Sequence, residues 1–200
     1  MASICVFCSA SDDIAPHYLD LAARLGTELA ARGHALVTGG GSVSAMGAVA
    51  RAARAGGAHT VGVIPEALVH SEVADSGAAE LVVTPDMRSR KAVMEERSDA
   101  FVVLPGGIGT LEELLEMWVA RTLGMHDKPV VVVDPDGVFA PLREQGELLL
   151  ERGFLRRDAL DALAWTTSPD DALDALDRFW AQGPPPTSHP TDAEVLEAEP

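Results

Sequence analysis

The sequence predicts an α/β domain built on a doubly wound parallel sheet with helices on both faces. Short apolar runs alternate with amphipathic stretches almost from end to end, which is the pattern of successive βαβ units. The runs "AFVVL" at 100–104 and "PVVVVD" at 129–134 are apolar without a break, as expected of strands covered by helices on both sides. Glycine-rich loops, "GGGS" at Gly39–Ser42 and "PGGIGT" at Pro105–Thr110, directly follow two such runs. They mark the tight turns from strand to helix.

Taken in order, the first strand is expected at Ser3 to Cys8, where the residues are apolar and β-prone. Its Cys5 and Cys8 form a Cys-x-x-Cys, but a redox pair usually opens a helix, so two reduced strand cysteines is the favoured reading. The loop "CSAS" leads to a helix at Pro16 to Arg32, then a strand at Ala35 to Thr38 and the first glycine loop. A helix at Ser44 to Arg54 and a strand at His59 to Ile64 follow. Pro65 to Ala79 has no clear periodicity, and long loops inside compact domains are often functional. Next come a strand at Glu80 to Thr84, a helix at Met87 to Arg97, a strand at Ala100 to Leu104 and the second glycine loop. The chain continues with helices at Thr110 to Leu123, Val138 to Arg152 and Pro169 to Trp180, and a strand at Pro129 to Val133.

The 200 residues are 47% hydrophobic, enough for one core. A single domain over 1–181 is expected, with 182–200 as a disordered tail rich in proline and acid. A formal charge of -16 argues against wrapping nucleic acid, which needs a basic stripe, and leaves room for a small anionic ligand held by local cations and helix ends. No segment reads as a signal peptide or membrane span, so a cytoplasmic location is expected, with no membrane partner. The six histidines are scattered, and no metal site is expected.

The loops at Cys8–Ser11, Gly39–Ser42 and Pro105–Thr110 all leave the carboxyl ends of candidate strands, the edge at which open α/β sheets hold ligands. Neither glycine loop contains the lysine of a P-loop. Ser44 stands where a dinucleotide fingerprint starting at Gly39 needs glycine, and no acid ends the next strand to hold a ribose. Two glycine loops on one edge still suit a nucleotide-sized phosphate ligand, with Gly40, Gly41 and Ser42 among the candidates to touch it. Each loop alone reads equally well as a plain turn.

Thr110 to Glu113 fits a capping box, in which the two side chains satisfy backbone donors at a helix start. The same carboxylate also overlooks the expected crevice. There the helix dipole would keep it ionised, and an anion beside a ribose can stabilise an oxocarbenium-like transition state or activate water. Arg88, Arg90, Lys91 and Arg97 cluster on the preceding helix, with Arg90 and Arg97 seven residues apart on one face. They are either a solvated face paired with Glu95 and Glu96 or the cations of the crevice. Arginine would orient groups there without transferring a proton.

The segments "MRSRKAVM", "DAFVVLPGGIGTLEELLE" and "GMHDKPVVV", with "VFCSAS" and "TGGGSVSAMG" upstream, resemble the cytokinin-activating Lonely Guy proteins over roughly Ser3 to Trp180. The resemblance implies a Rossmann-like fold and a phosphoribohydrolase that releases an adenine-type base and ribose 5-phosphate from cytokinin riboside 5'-monophosphates or AMP. It implies no metal or organic cofactor, and a homodimer with sites near the subunit interface. Carried across, the catalytic pair is Arg90 and Glu113, and the binding set is Glu72, Lys91, Gly107, Ile108, Gly109, Thr110 and Glu112. Ser44 replaces a usual glycine, Ile108 a common aromatic, and Val119 a threonine often found in plant members, so the choice between plain and N6-modified adenine stays open.

Relatives also carry the label lysine decarboxylase, but such chemistry needs a Schiff-base lysine. Only Lys91 and Lys128 exist, and Lys128 is expected on the edge away from the crevice. The helix segment "LLEMWVA" is apolar nearly all round, so one face is expected to meet a second subunit. The resemblance places Trp118 in that interface, while its residue character fits core equally well. The competing class is a non-catalytic carrier of a nucleotide or phosphate cofactor on the same scaffold.

Overall fold

The computed structural model describes residues 1–69 and 73–183. Glu72 and all but the first two residues of the expected tail lie outside them. The elements run β1 (Ser3–Phe7), α1 (Pro16–Ala31), β2 (Ala35–Thr38), α2 (Ser44–Ala55), β3 (Thr60–Pro65), β4 (Glu80–Thr84), α3 (Met87–Glu96) and β5 (Ala100–Val103). They continue with α4 (Ile108–Thr122), β6 (Val130–Val133), α5 (Ala140–Glu151), α6 (Arg157–Leu160), β7 (Leu163–Thr166) and α7 (Pro169–Gln182). A single 3-10 turn, Glu66–Leu68, lies in the segment without periodicity.

All seven strands are parallel, in the order β4-β3-β2-β1-β5-β6-β7. The chain winds outward from β1 to β4, returns to the other side of β1 as β5, and winds outward again. Strand order therefore reverses between β1 and β5, and connections leaving these two strands diverge to open a crevice at their carboxyl ends.

Alternation along the strands divides the core. Ile4, Val6, Leu36, Val102 and Val131 meet α1, α2 and α7 through Leu25, Leu29, Val49 and Leu173. Cys5, Phe7, Val37, Phe101, Val103 and Val132 face the other way, toward Met94, Leu114, Met117 and Trp118 of α3 and α4. Cys5 and Cys8 thus lie in opposite layers, both free and buried. Burial, followed by the charge of Glu113, pushes both thiols up, so they remain protonated at neutral pH.

The six expected strands and six expected helices are present, with ends shifted by at most two residues. β7 and α6 were not anticipated. β7 is a sheet edge with only Leu163 buried, so "LAWT" lacks the unbroken apolar run of a covered strand, and α6 is a single turn of four residues. Trp118 belongs to the core. It is 8% exposed, and its indole N–H donates to the Ala159 carbonyl at 2.7 Å, an acceptor that a buried indole requires. Among the described residues no helix is long and apolar enough to cross a membrane.

Candidate active site

Arg90 is set by α3. The Asp86 carboxylate caps this helix by accepting from the Ser89 amide at 2.8 Å, and the next turn directs Arg90 inward, under the ends of β2 and β3. The side chain is 4% exposed. Its Nε donates to the Val63 carbonyl at 3.1 Å and its Nη2 to the Gly39 carbonyl at 2.9 Å. A buried cation is costly unless hydrogen-bonded, and these carbonyls fix the guanidinium plane. The approach requires glycine at 39, since a Cβ there would stand 1.8 Å from Nη2. Arg97 sits apart, capping α3 and pairing with Glu80 at the surface. Of the two, only Arg90 departs from the solvated-face reading.

Lys91 follows Arg90 but points elsewhere, because successive helical residues diverge by about 100°. It lies on the α3–α4 surface between Glu112 and Glu116. Burial works against its charge, but bonds to the two glutamates prevail and hold its ammonium above the ordinary value. These three residues line one end of a groove of about 480 Å³ whose apolar side is formed by Leu115, Val119 and Met125.

The second glycine loop differs from expectation in a useful way. α4 begins at Ile108, with Gly107 as N-cap and no side chain capping it. Thr110 is therefore the third helical residue, and the expected capping box does not form. The cause is close packing, since a Cβ on Gly106 would lie 2.1 Å from Thr110 Oγ1, so the helix starts early and tucks Thr110 against the turn. Glu113 moves into the second turn, partly buried. Among the described residues, the amides of Gly107, Ile108, Gly109 and Thr110 donate to no protein acceptor. The space where a Cβ of Gly107 or Gly109 would point is open, and Ile108 is 86% exposed. These donors, at the positive end of a 15-residue helix, form an arrangement suited to an anion.

The first glycine loop is engaged by its own protein. Gly40 N–H donates to Thr38 Oγ1, Gly41 N–H to Met46 Sδ and Ser42 N–H to the Val73 carbonyl. Ser42 Oγ also donates to Val73, at 2.7 Å. Asp75 N–H donates back to the Gly40 carbonyl, and the Asp75 carboxylate is held by Arg54 at 2.5 Å. Gly40, Gly41 and Ser42 thus brace the segment after Glu72, while Gly39 holds Arg90.

Burial chiefly pushes the Cys5 thiol up, and the charges of both candidate catalytic residues reach it, Glu113 raising its pKa and Arg90 lowering it. Sequence reasoning missed the residues that shape the loop leaving β1, notably the buried Ser9 and the hydroxyl of Ser44, which donates to the Ser11 carbonyl at 2.5 Å. Among the described residues no group of three or more His, Cys, Asp or Glu could hold a metal ion.

A family model described as "Possible lysine decarboxylase" matches residues 46–176. A cytokinin riboside 5'-monophosphate phosphoribohydrolase of Mycobacterium marinum is 53% identical over 86% of this chain and 92% of its own length. The protein of that name from Mycobacterium tuberculosis matches with the same identity and coverage. The chain belongs to the Lonely Guy family. A solved structure, the molybdenum cofactor binding protein from Rippkaea orientalis, superimposes with a TM-score of 0.69 at 23% identity, covering 90% of this chain and 97% of that one. At that identity it shows the shared fold alone. The Lonely Guy match spans α2 to α7, and so includes both Arg90 and Glu113.

Proposed function

We propose that this chain hydrolyses the N-glycosidic bond of adenosine-type 5'-monophosphates, either AMP or cytokinin riboside 5'-monophosphates. The observation that carries the reading is the row of open amides from Gly107 to Thr110, with Glu113 one turn further along the same helix. The 5'-phosphate takes those amides and the helix end. This places the ribose beside Glu113, whose carboxylate stabilises positive charge developing at C1' and orients water. The bond from C1' to the base nitrogen breaks with its electron pair leaving on the base, which takes up a proton. The water oxygen bonds to C1', yielding ribose 5-phosphate. Arg90, fixed by the Val63 and Gly39 carbonyls, orients the substrate and Glu113 without transferring a proton.

The names of the relatives support this reading, and the lysines oppose a decarboxylase. Lys91 is held by Glu112 and Glu116, while Lys128 precedes β6 at the amino edge and donates to the Glu95 carbonyl at 2.6 Å. The active form we propose is a homodimer formed over α4, where Leu115, Val119, Leu123 and Met125 are exposed together. Sedimentation that reports a monomer at working concentration would reject the dimer.

Chromatography of products from AMP and from isopentenyladenosine monophosphate tests the reaction. Free base should appear with wild-type protein and fall about 10²- to 10⁴-fold in Glu113→Gln. Saturable binding with no base released would favour the carrier reading instead.

A further inference from the structure

Ser44 opens α2 with φ at +50°, the left-handed region in which a Cβ crowds the following carbonyl. Among the described residues, the other non-glycine residue with positive φ is Val73, which braces the same glycine loop. Strain of this kind persists only where surrounding contacts impose it, and such sites concentrate near function. At Ser44 the contact is specific. The side chain is buried, and its hydroxyl donates to the Ser11 carbonyl at 2.5 Å.

The segment it holds, Ser9 to Asp13, is tied at several points. Met46 N–H donates to the Ser9 carbonyl at 3.3 Å, Ser11 N–H to Ser9 Oγ at 3.0 Å, and Asp13 N–H to Ser11 Oγ at 3.3 Å. Strand order fixes where this segment lies. β1 runs between β2 and β5, and Leu104 N–H donates to the Phe7 carbonyl at 2.9 Å, so β1 and β5 remain paired up to the point where their loops part. The 9–13 loop therefore borders the crevice opposite the open α4 amides, and its neighbour Cys8 feels the charge of Glu113.

We propose that Ser44 is a positioning residue whose hydroxyl holds the 9–13 loop as the wall of the crevice facing the α4 turn, and so sets how tightly a mononucleotide is gripped. The inference rests on the function proposed above and assigns Ser44 a role within it. The backbone strain is the structural cost of placing that hydroxyl. A glycine would relieve it but could not hold the loop.

Two substitutions separate grip from backbone. Ser44→Gly and Ser44→Ala both remove the hydroxyl, but only glycine suits the positive φ. Stability should follow the backbone, with Tm higher in Ser44→Gly than in Ser44→Ala by roughly 2–4 °C. Grip should follow the hydroxyl. KM for AMP should rise about 3- to 10-fold in both variants alike, with kcat within about 3-fold of wild type and faster hydrogen exchange at residues 9–13. Wild-type KM and protection in Ser44→Gly would overturn the proposal, as would a KM that tracks Tm across the pair. If wild-type protein binds AMP without releasing base, the hydrolase reading fails, and the same comparison made on calorimetric Kd still decides the role of Ser44. If wild-type protein neither binds nor cleaves AMP, both are overturned.

Discussion

The loops Gly39–Ser42 and Pro105–Gly109 leave strands on either side of β1, share a glycine-rich composition, and lead into helices of similar length. Their amides have opposite fates. In the first loop, Thr38, Met46 and Val73 accept the donors, and the close approach that glycine permits is taken by the guanidinium of Arg90. In the second, the donors of Gly107 to Thr110 meet no described acceptor, and Gly107 and Gly109 face open space. Glycine allows something to come close to the backbone. Whether that something is the protein itself or a ligand depends on which residues lie opposite.

Substitutions can sharpen or break this contrast. The largest effect is expected from Glu113→Gln, on the helix of the open loop, where base release should fall by orders of magnitude while AMP Kd, measured by calorimetry, changes only a few-fold. Next is Gly39→Ala. A methyl group in the space of Arg90 should cost about 1–3 kcal/mol, seen as a lower denaturant midpoint, and should reduce base release by displacing the guanidinium. Gly107→Ala is its counterpart. With nothing near its Cβ position it should leave the midpoint close to wild type, yet weaken AMP binding about 10-fold by crowding the phosphate. Equal midpoint losses in the two alanine variants would abolish the distinction drawn between the loops. Ser42→Ala should cost about 1 kcal/mol through its lost bond to Val73, with AMP affinity unchanged.

The smallest effect concerns pH. Asp86 caps the helix that carries Arg90, and bonds from the amide and hydroxyl of Ser89 hold its carboxyl below the ordinary 3.8. A depressed carboxylate stabilises the fold above its unfolded pKa and ceases to do so as pH falls through the folded value. The cap is therefore complete above about pH 4 and fails below it. Thermal melts over this range should show wild-type Tm dropping in acid, and Asp86→Asn should narrow the drop.

The covered strands were legible because their environment is uniform on both faces, so "AFVV" and "VVVV" carry it in their letters. β7 was not, since "LAWT" is short and mixed, whereas the other edge strand, β4, keeps the β-prone run "ELVVT". Arg90 and Glu113 could be singled out through the resemblance, but their settings could not. The Thr-x-x-Glu pattern pointed to a cap that the packing of Thr110 on Gly106 moved. Lys91 shared a motif with Arg90 and turned to a different surface.

By itself, then, the sequence determined the alternation of strand and helix, and with it a parallel sheet whose carboxyl edge gathers the loops Gly39–Ser42 and Pro105–Thr110, because periodicity and turn chemistry act between near neighbours. Tertiary structure alone decided which loop stays open. Near neighbours Thr38 and Met46 take the Gly40 and Gly41 amides, but the groups that fix Ser42 and Gly39 come from far along the chain, Val73 lying 31 residues from Ser42 and Arg90 lying 51 from Gly39. Those distant partners are brought in by the packing of remote segments, which no local pattern encodes.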